Sequence, residues 1–193
     1  MRFLLASSIL FFLPLSPAFG QSGSCHDHGN NPQVGDGEMF AIMPSGYTYP
    51  EGAMVDYHRK LVYISGPAAG GTAGLPASWV LVYDLETKAL IHTITVEHEI
   101  LAVEHALVEG ALGADGSLYV NSTALGVVKF TLSGHPGAYS WTQSSYSAGP
   151  MPMVVYVPPA PGLPDSIPNG MVFGPDGELY VVDSRQGALF EVP

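Results

Sequence analysis

Pro168-Asn169-Gly170-Met171-Val172-Phe173-Gly174-Pro175-Asp176-Gly177-Glu178-Leu179-Tyr180-Val181-Val182-Asp183-Ser184 is the stretch on which the reading of this chain turns. Two runs of strand length flank Asp176-Gly177. A Gly after Asp accepts the positive φ that a tight hairpin demands, so the stretch predicts two antiparallel strands joined at that turn. Leu179-Tyr180-Val181 adds the β-branched and aromatic side chains that suit a pleated, half-buried surface.

The same grammar occurs twice upstream. Val108-Glu109-Gly110-Ala111-Leu112-Gly113 leads through Asp115-Gly116 to Leu118-Tyr119-Val120-Asn121-Ser122, and Pro50-Glu51-Gly52-Ala53-Met54-Val55-Asp56 leads through a turn to Leu61-Val62-Tyr63-Ile64-Ser65. The motif glycines Gly52, Gly110 and Gly170 lie 58 and then 60 residues apart. Further strands follow in each unit: Trp79 to Asp84 and Ala89 to Val96 in the first, Gly126 to Leu132 and Tyr139 to Trp141 in the second, Ala188 to Val192 in the third. Four short strands per unit at a fixed period are the sequence signature of β-propeller blades with loop insertions. The expected fold is all-β, with blades starting near residues 50, 108 and 168, so that residues 46–193 make a partial β-propeller. Rings close with roughly 4 to 8 blades, and the sequence stops inside the third unit. It therefore reads as the first part of a ring, a fragment of about three blades.

Composition narrows the class further. The 193 residues include 23 Gly and 17 Pro, too much punctuation for long helices but well suited to short strands and turns. Six Lys and Arg stand against 17 Asp and Glu, a net charge of −11 that repels phosphate backbones and argues against nucleic acid as a partner. Residues 1–20 read as a signal peptide, with Arg2 in the n-region, an apolar run from Phe3 to Leu15 and small residues around Ala18-Phe19-Gly20. That run is shorter than the roughly 20 residues of a membrane span, and Gly, Pro or charge interrupts every later one. The expectation is a protein secreted to an extracellular or periplasmic space, with no membrane span. Residues 21–45 read as a leader that ends in a strand, Glu38 to Ile42, able to pair with the last blade of a complete ring. Cys25 is the single cysteine, so no internal disulfide forms.

Glu51, Glu109 and Asn169 each stand directly before the Gly that opens the innermost strand of a unit. Read one at a time, each is a turn residue facing solvent. Read together in a propeller, they converge on one mouth of the central channel. Carboxylate and amide oxygens gathered there suit a hard cation such as Ca²⁺, with its several oxygen ligands.

Pro50-Glu51-Gly52 and the stretch from Pro168-Asn169-Gly170 to Asp183-Ser184 resemble the senescence-marker-protein/gluconolactonase family, over most of residues 50 to 193. The resemblance implies a six-bladed propeller and a metal-dependent lactonase. By it, Glu51 and Asn169 match the metal-binding Glu and Asn of the family, and Ca²⁺ is the expected cofactor with Zn²⁺ as the alternative. The family has Asn-Asp-Gly where this chain has Val108-Glu109-Gly110. A substrate-facing Asn is thus replaced by Val108, and Glu109 stands in for the neighbouring Asp as the residue facing substrate. The family's last metal-binding Asp, often its general base, would lie beyond residue 193, so no catalytic residue is assigned. The implied partner is a small-molecule lactone or sugar-derived substrate. A non-enzymatic propeller of the NHL-repeat kind, binding a protein or glycan through its loops, is the competing expectation, favoured by Val108 and the missing Asp.

Other groups carry weaker signals. Cys25-His26-Asp27-His28 has transition-metal ligands but sits in a terminal leader. His92, His98, His105 and His135 show no ligand-pair spacing, and no Gly-x-Ser-x-Gly elbow occurs. Asn121-Ser122-Thr123 is a glycosylation sequon, usable in a eukaryotic secretory pathway. Trp79, Trp141 and the tyrosines are expected to pack between blades rather than to form a sugar platform. Gly66 to Gly71 and Pro158 to Pro164 read as long inserts on the blade loops, where binding specificity often resides.

Overall fold

A computed structural model describes residues 38–67, 76–102, 105–154 and 166–193. The chain divides into residues 1–38 and 39–193, and the second unit is described here. Residues 1–20, read as a signal peptide, the Cys25-His26-Asp27-His28 group, the expected leader up to residue 37, most of the first loop insert and all of the second lie outside the described residues.

Eleven strands and no helix occur among the described residues. The first sheet holds β1 (Ala53–Asp56), β2 (Leu61–Gly66), β3 (Trp79–Asp84) and β4 (Leu90–Thr95). The second holds β5 (Leu107–Leu112), β6 (Leu118–Ser122), β7 (Gly126–Ser133) and β8 (Ser140–Ser145), and the third β9 (Pro168–Phe173), β10 (Leu179–Asp183) and β11 (Ala188–Val192). Within each sheet successive strands pair antiparallel, so every sheet is a meander. No helix of the described residues is long and apolar enough to cross a membrane.

Turn chemistry sets the hairpins. Gly116 and Gly177 hold φ at +74° and +97°, the left-handed values that Asp-Gly pairs supply cheaply. The first hairpin has no Gly, and Lys60 itself takes φ +60°. Asp56 offsets that strain. Its Oδ1 accepts from the Arg59 backbone N–H and its Oδ2 from Arg59 Nη1, both at 2.8 Å.

The period-2 alternation of strands sends one set of side chains to each face. Met54, Leu61, Tyr63, Val80, Val82 and Ile94 of the first sheet meet Leu107, Leu118, Val120, Val128 and Phe130 of the second in one buried core. The other face of the second sheet sends Tyr119 and Val127 against Leu179, Val181 and Val192 of the third. Full burial of a side chain of this size stabilises by about 1.5–3 kcal/mol, and these two layers fix the order of the sheets. The array is open: the three sheets follow one another without closing. The first strands of the three sheets lie side by side, β1 against β5 and β5 against β9.

Two expectations shift. Residues 38–42 form no strand. Phe40, Ala41, Met43 and Tyr47 instead pack on the far face of the first sheet, against Val62, Trp79, Leu81 and Tyr83. With apolar residues at both 40 and 41, the segment lacks the alternation of a ladder and works as a hydrophobic cover. Strand β8 runs on to Ser145, past Trp141, because each of its residues finds a partner along the eight-residue β7.

Candidate functional site

The first strands of the three sheets depart from a regular ladder near their motif glycines. Just before β1 the Glu51 N–H donates to the Ser65 carbonyl and the Ser65 N–H donates to the Gly52 carbonyl, both at 3.0 Å. Glu51 and Gly52 thus face a single residue of β2. In β5 the register slips between Leu107 and Gly110, the interval holding Val108-Glu109. In β9 it slips between Pro168 and Met171, the interval holding Asn169-Gly170. A bulge bends a strand and re-aims the side chain at the slip, and such features gather beside functional sites. The Glu109-Gly110 and Asn169-Gly170 pairs therefore fall in bulges of β5 and β9, and Glu51-Gly52 lies just before β1 on the corresponding side of the array.

Their registers nevertheless differ. Asp56 pairs with Leu61, Leu112 with Leu118 and Phe173 with Leu179, so Gly52, Gly110 and Gly170 stand four, two and three residues back along β1, β5 and β9. The sequence repeat suggests one shared register. The intervals from each Gly to its Leu are nine, eight and nine residues, and the turns take different shares of them, so no single register is shared.

Backbones approach closely at this end. A Cβ on Gly52 would lie 2.6 Å from Ser65 Oγ and 2.8 Å from the Val108 carbonyl oxygen, with the Glu109 Cα at 3.1 Å. Only Gly fits there, which explains the residue after Glu51. Ser65 Oγ donates to the Val108 carbonyl, tying the first sheet to the second. Asn121 Nδ2 donates to the Asn169 carbonyl at 2.7 Å, tying the second to the third. Glu51 is exposed, while Glu109 and Asn169 are half-buried.

Asn121 corrects one expectation and adds a feature. It is 0 % exposed and its amide nitrogen is engaged, so a glycan on that nitrogen does not fit this fold. Its Oδ1 is buried without a partner, a costly state for a polar atom. Two carboxylates, the Asn169 amide and this orphan oxygen are hard donors, the kind Ca²⁺ takes. Among the described residues, no group of three or more His, Cys, Asp or Glu side chains gathers to hold a metal. Val108 is buried.

Asp183 escapes sequence reasoning. It is buried, and its carboxylate accepts from Ser166 Oγ at 2.6 Å, Gln186 Nε2 at 2.8 Å and the backbone N–H groups of Arg185, Gln186 and Ile167 at 2.9, 3.0 and 3.2 Å. Burial alone pushes its carboxyl up, but these donors outweigh it and hold the group below its ordinary value. The clamp fixes the start of β9, and with it Asn169. The available signal is an Asp at the end of a strand and before a turn, where Asx-type bonding is common.

Set beside known proteins, the chain matches no family model, no curated protein and no solved structure.

Proposed function

We propose that the three sheets are blades of a six-bladed type of propeller, and that the motif-glycine ends of β1, β5 and β9 form the site of a secreted, metal-dependent lactone hydrolase. One observation carries this reading: in or just before the neighbouring first strands of the three sheets, the oxygen-bearing residues Glu51, Glu109 and Asn169 stand on the corresponding side of the array. Glu51 and Asn169 would hold the cation, Ca²⁺ before Zn²⁺ because the donors are all oxygen. The bound ion would polarise the lactone carbonyl and acidify water. Glu109, an acceptor-only group when ionised, would take a hydrogen bond from a substrate hydroxyl and so orient the ring. The resemblance of the motifs to the gluconolactonase family supports the substrate class, a lactone derived from a sugar.

Thermal melts and aldonolactone hydrolysis followed by pH-stat test it. Ca²⁺ or Zn²⁺ raises the melting temperature of the wild type, an effect worth about 2.7 kcal/mol at a hundred times the dissociation constant, and supports hydrolysis. Glu51→Gln loses both. A wild type whose melting and hydrolysis are indifferent to either ion, against an EDTA control, overturns the proposal.

A second reading is a non-enzymatic propeller of the NHL kind, binding a protein or glycan through its loops. The burial of Val108 favours it, since the family position it occupies would face substrate. In that case Glu51→Ala keeps ligand binding and loses nothing metal-dependent.

A further inference from the structure

At the opposite end of the β1–β2 hairpin from Glu51, a cleft of about 450 Å³ opens between the first two sheets. We propose that it binds a neutral carbohydrate, of one or two sugar rings. Its walls come from three turns: Arg59 and Lys60 between β1 and β2, Asp84 and Glu86 between β3 and β4, and Pro136 to Trp141 around the β7–β8 turn.

The apolar side of the cleft is aromatic. His92 on β4 stacks on Trp141 across the two sheets, with ring centroids 4.3 Å apart and an interplanar angle of 18°, and Tyr139 meets Trp141 edge-on at 5.9 Å. Trp79 is buried beneath the cover of residues 40–47, but Trp141 is only half-buried and lines the cleft. The two tryptophans therefore divide between packing and surface. Planar rings with an apolar face suit the C–H face of a sugar, as they suit other amphipathic partners.

The polar side carries hydrogen-bonding groups of both signs. Arg59 and Lys60 stand against Asp84 and Glu86. Arg59 Nη1 is committed to Asp56 at 2.8 Å, and Lys60 Nζ lies 3.9 Å from Glu86. An anionic ligand such as a phosphate would meet the two carboxylates, and an apolar ligand would strip water from all four charges at a cost. Hydroxyl groups meet neither penalty. Asp84 offers the clearest acceptor: the Glu86 N–H, the Thr87 N–H and Thr87 Oγ1 all donate to its Oδ1, which leaves Oδ2 to a ligand. The cleft volume falls within the roughly 300–1,000 Å³ typical of small-molecule sites.

The test is a titration of the full chain with glucose, cellobiose and lactose, with glucuronate, glucosamine and glycine as charged counterparts, read by calorimetry and by the two indole N–H signals in NMR. The Trp141 signal, identified by its loss in Trp141→Phe, shifts saturably with at least one neutral sugar, and the Trp79 signal stays. His92→Ala, a change at an exposed residue, weakens that sugar roughly tenfold, and Tyr139→Ala weakens it too. No saturation by any neutral sugar overturns the proposal. So does tighter binding of a charged counterpart, or binding that survives both substitutions unchanged.

Discussion

Leu118-Tyr119-Val120-Asn121-Ser122 in β6 and Leu179-Tyr180-Val181-Val182-Asp183 in β10 occupy matching places in two adjacent sheets, yet they are buried differently. All five residues of β6 are buried, whereas β10 alternates, with Val182 open to solvent. The second sheet has a neighbour on each face, and the third has one on a single face, the other carrying exposed Val172, Val182 and Leu189. At the fourth place the usual order is inverted: the amide Asn121 is inside and the hydrocarbon Val182 outside. The inside amide is tolerated because β9 presents a backbone carbonyl to it. Position in the array, more than the motif, decides what each strand buries.

The largest effect expected from breaking this contrast lies in the third sheet. Asp183→Ala removes the acceptor from five donors, of which Ser166 and Gln186 are themselves buried. Orphaning several buried donors costs about 3 kcal/mol or more, which a urea melt reads as a lower midpoint. The third sheet, with one exposed face, should unfold first, seen as early loss of amide protection in β9 to β11. In the second sheet Asn121→Ala leaves the Asn169 carbonyl without its donor, for a loss of about 1–3 kcal/mol. If the orphan Oδ1 is a cation ligand, Asn121→Ala also shrinks the Ca²⁺-induced rise in melting temperature. An unchanged rise would remove Asn121 from the donor set.

Much of this was legible beforehand. The Asp-Gly turns and the period-2 runs located ten of the eleven strands within a few residues, because turn and alternation are local signals. Strand β8 was read short, since polar Ser144 and Ser145 on its exposed side carry no alternation. The cover formed by Phe40 and Met43 was misread as a strand, because a short apolar run says only that something is buried. At the site, the sequence named Glu51, Glu109 and Asn169 as a set, but the bulges were hidden. A bulge depends on the length of the facing strand and turn, which the motif residues do not encode. Asn121 looked like a surface sequon for a related reason: its burial is conferred by Asn169, 48 residues away.

A smaller effect separates the two sheets by pH. Asp115, in the β5–β6 turn, accepts from Lys129 Nζ at 2.7 Å and from the Ser117 N–H and Oγ at 3.0 Å each. Burial raises its carboxyl, but these bonds prevail and hold it at about 2. In the corresponding third-sheet turn Asp176 is exposed. A folded value below the unfolded one, about 3.9, means stability present above pH ~4 and lost as pH falls towards 2. Because the Asp115 side chain is 45 % exposed, solvent screening keeps the contribution under about 1 kcal/mol. Lys129→Met should flatten that part of the acid-denaturation curve, leaving the part due to Asp183 in place.

The smallest expected effect tests the comparison itself. Leu189 is 67 % exposed and Val182 44 %, so Leu189→Ser and Val182→Thr remove little buried surface. Thr keeps the β-branched shape that a strand favours, and surface changes of this kind usually move stability by less than about 0.5 kcal/mol. The same exchange of hydrocarbon for hydroxyl at Val181, which faces the second sheet, should cost well over 1 kcal/mol through an unpaired hydroxyl in a packed layer. If Leu189→Ser instead costs as much as the Val181 change, or lowers the mass seen by sedimentation, the outer face of the third sheet is covered in solution by another chain. The difference between the sheets would then be one of partner, inside or outside the chain, and the apolar outer face of β10 would have the same cause as the apolar inner face of β6.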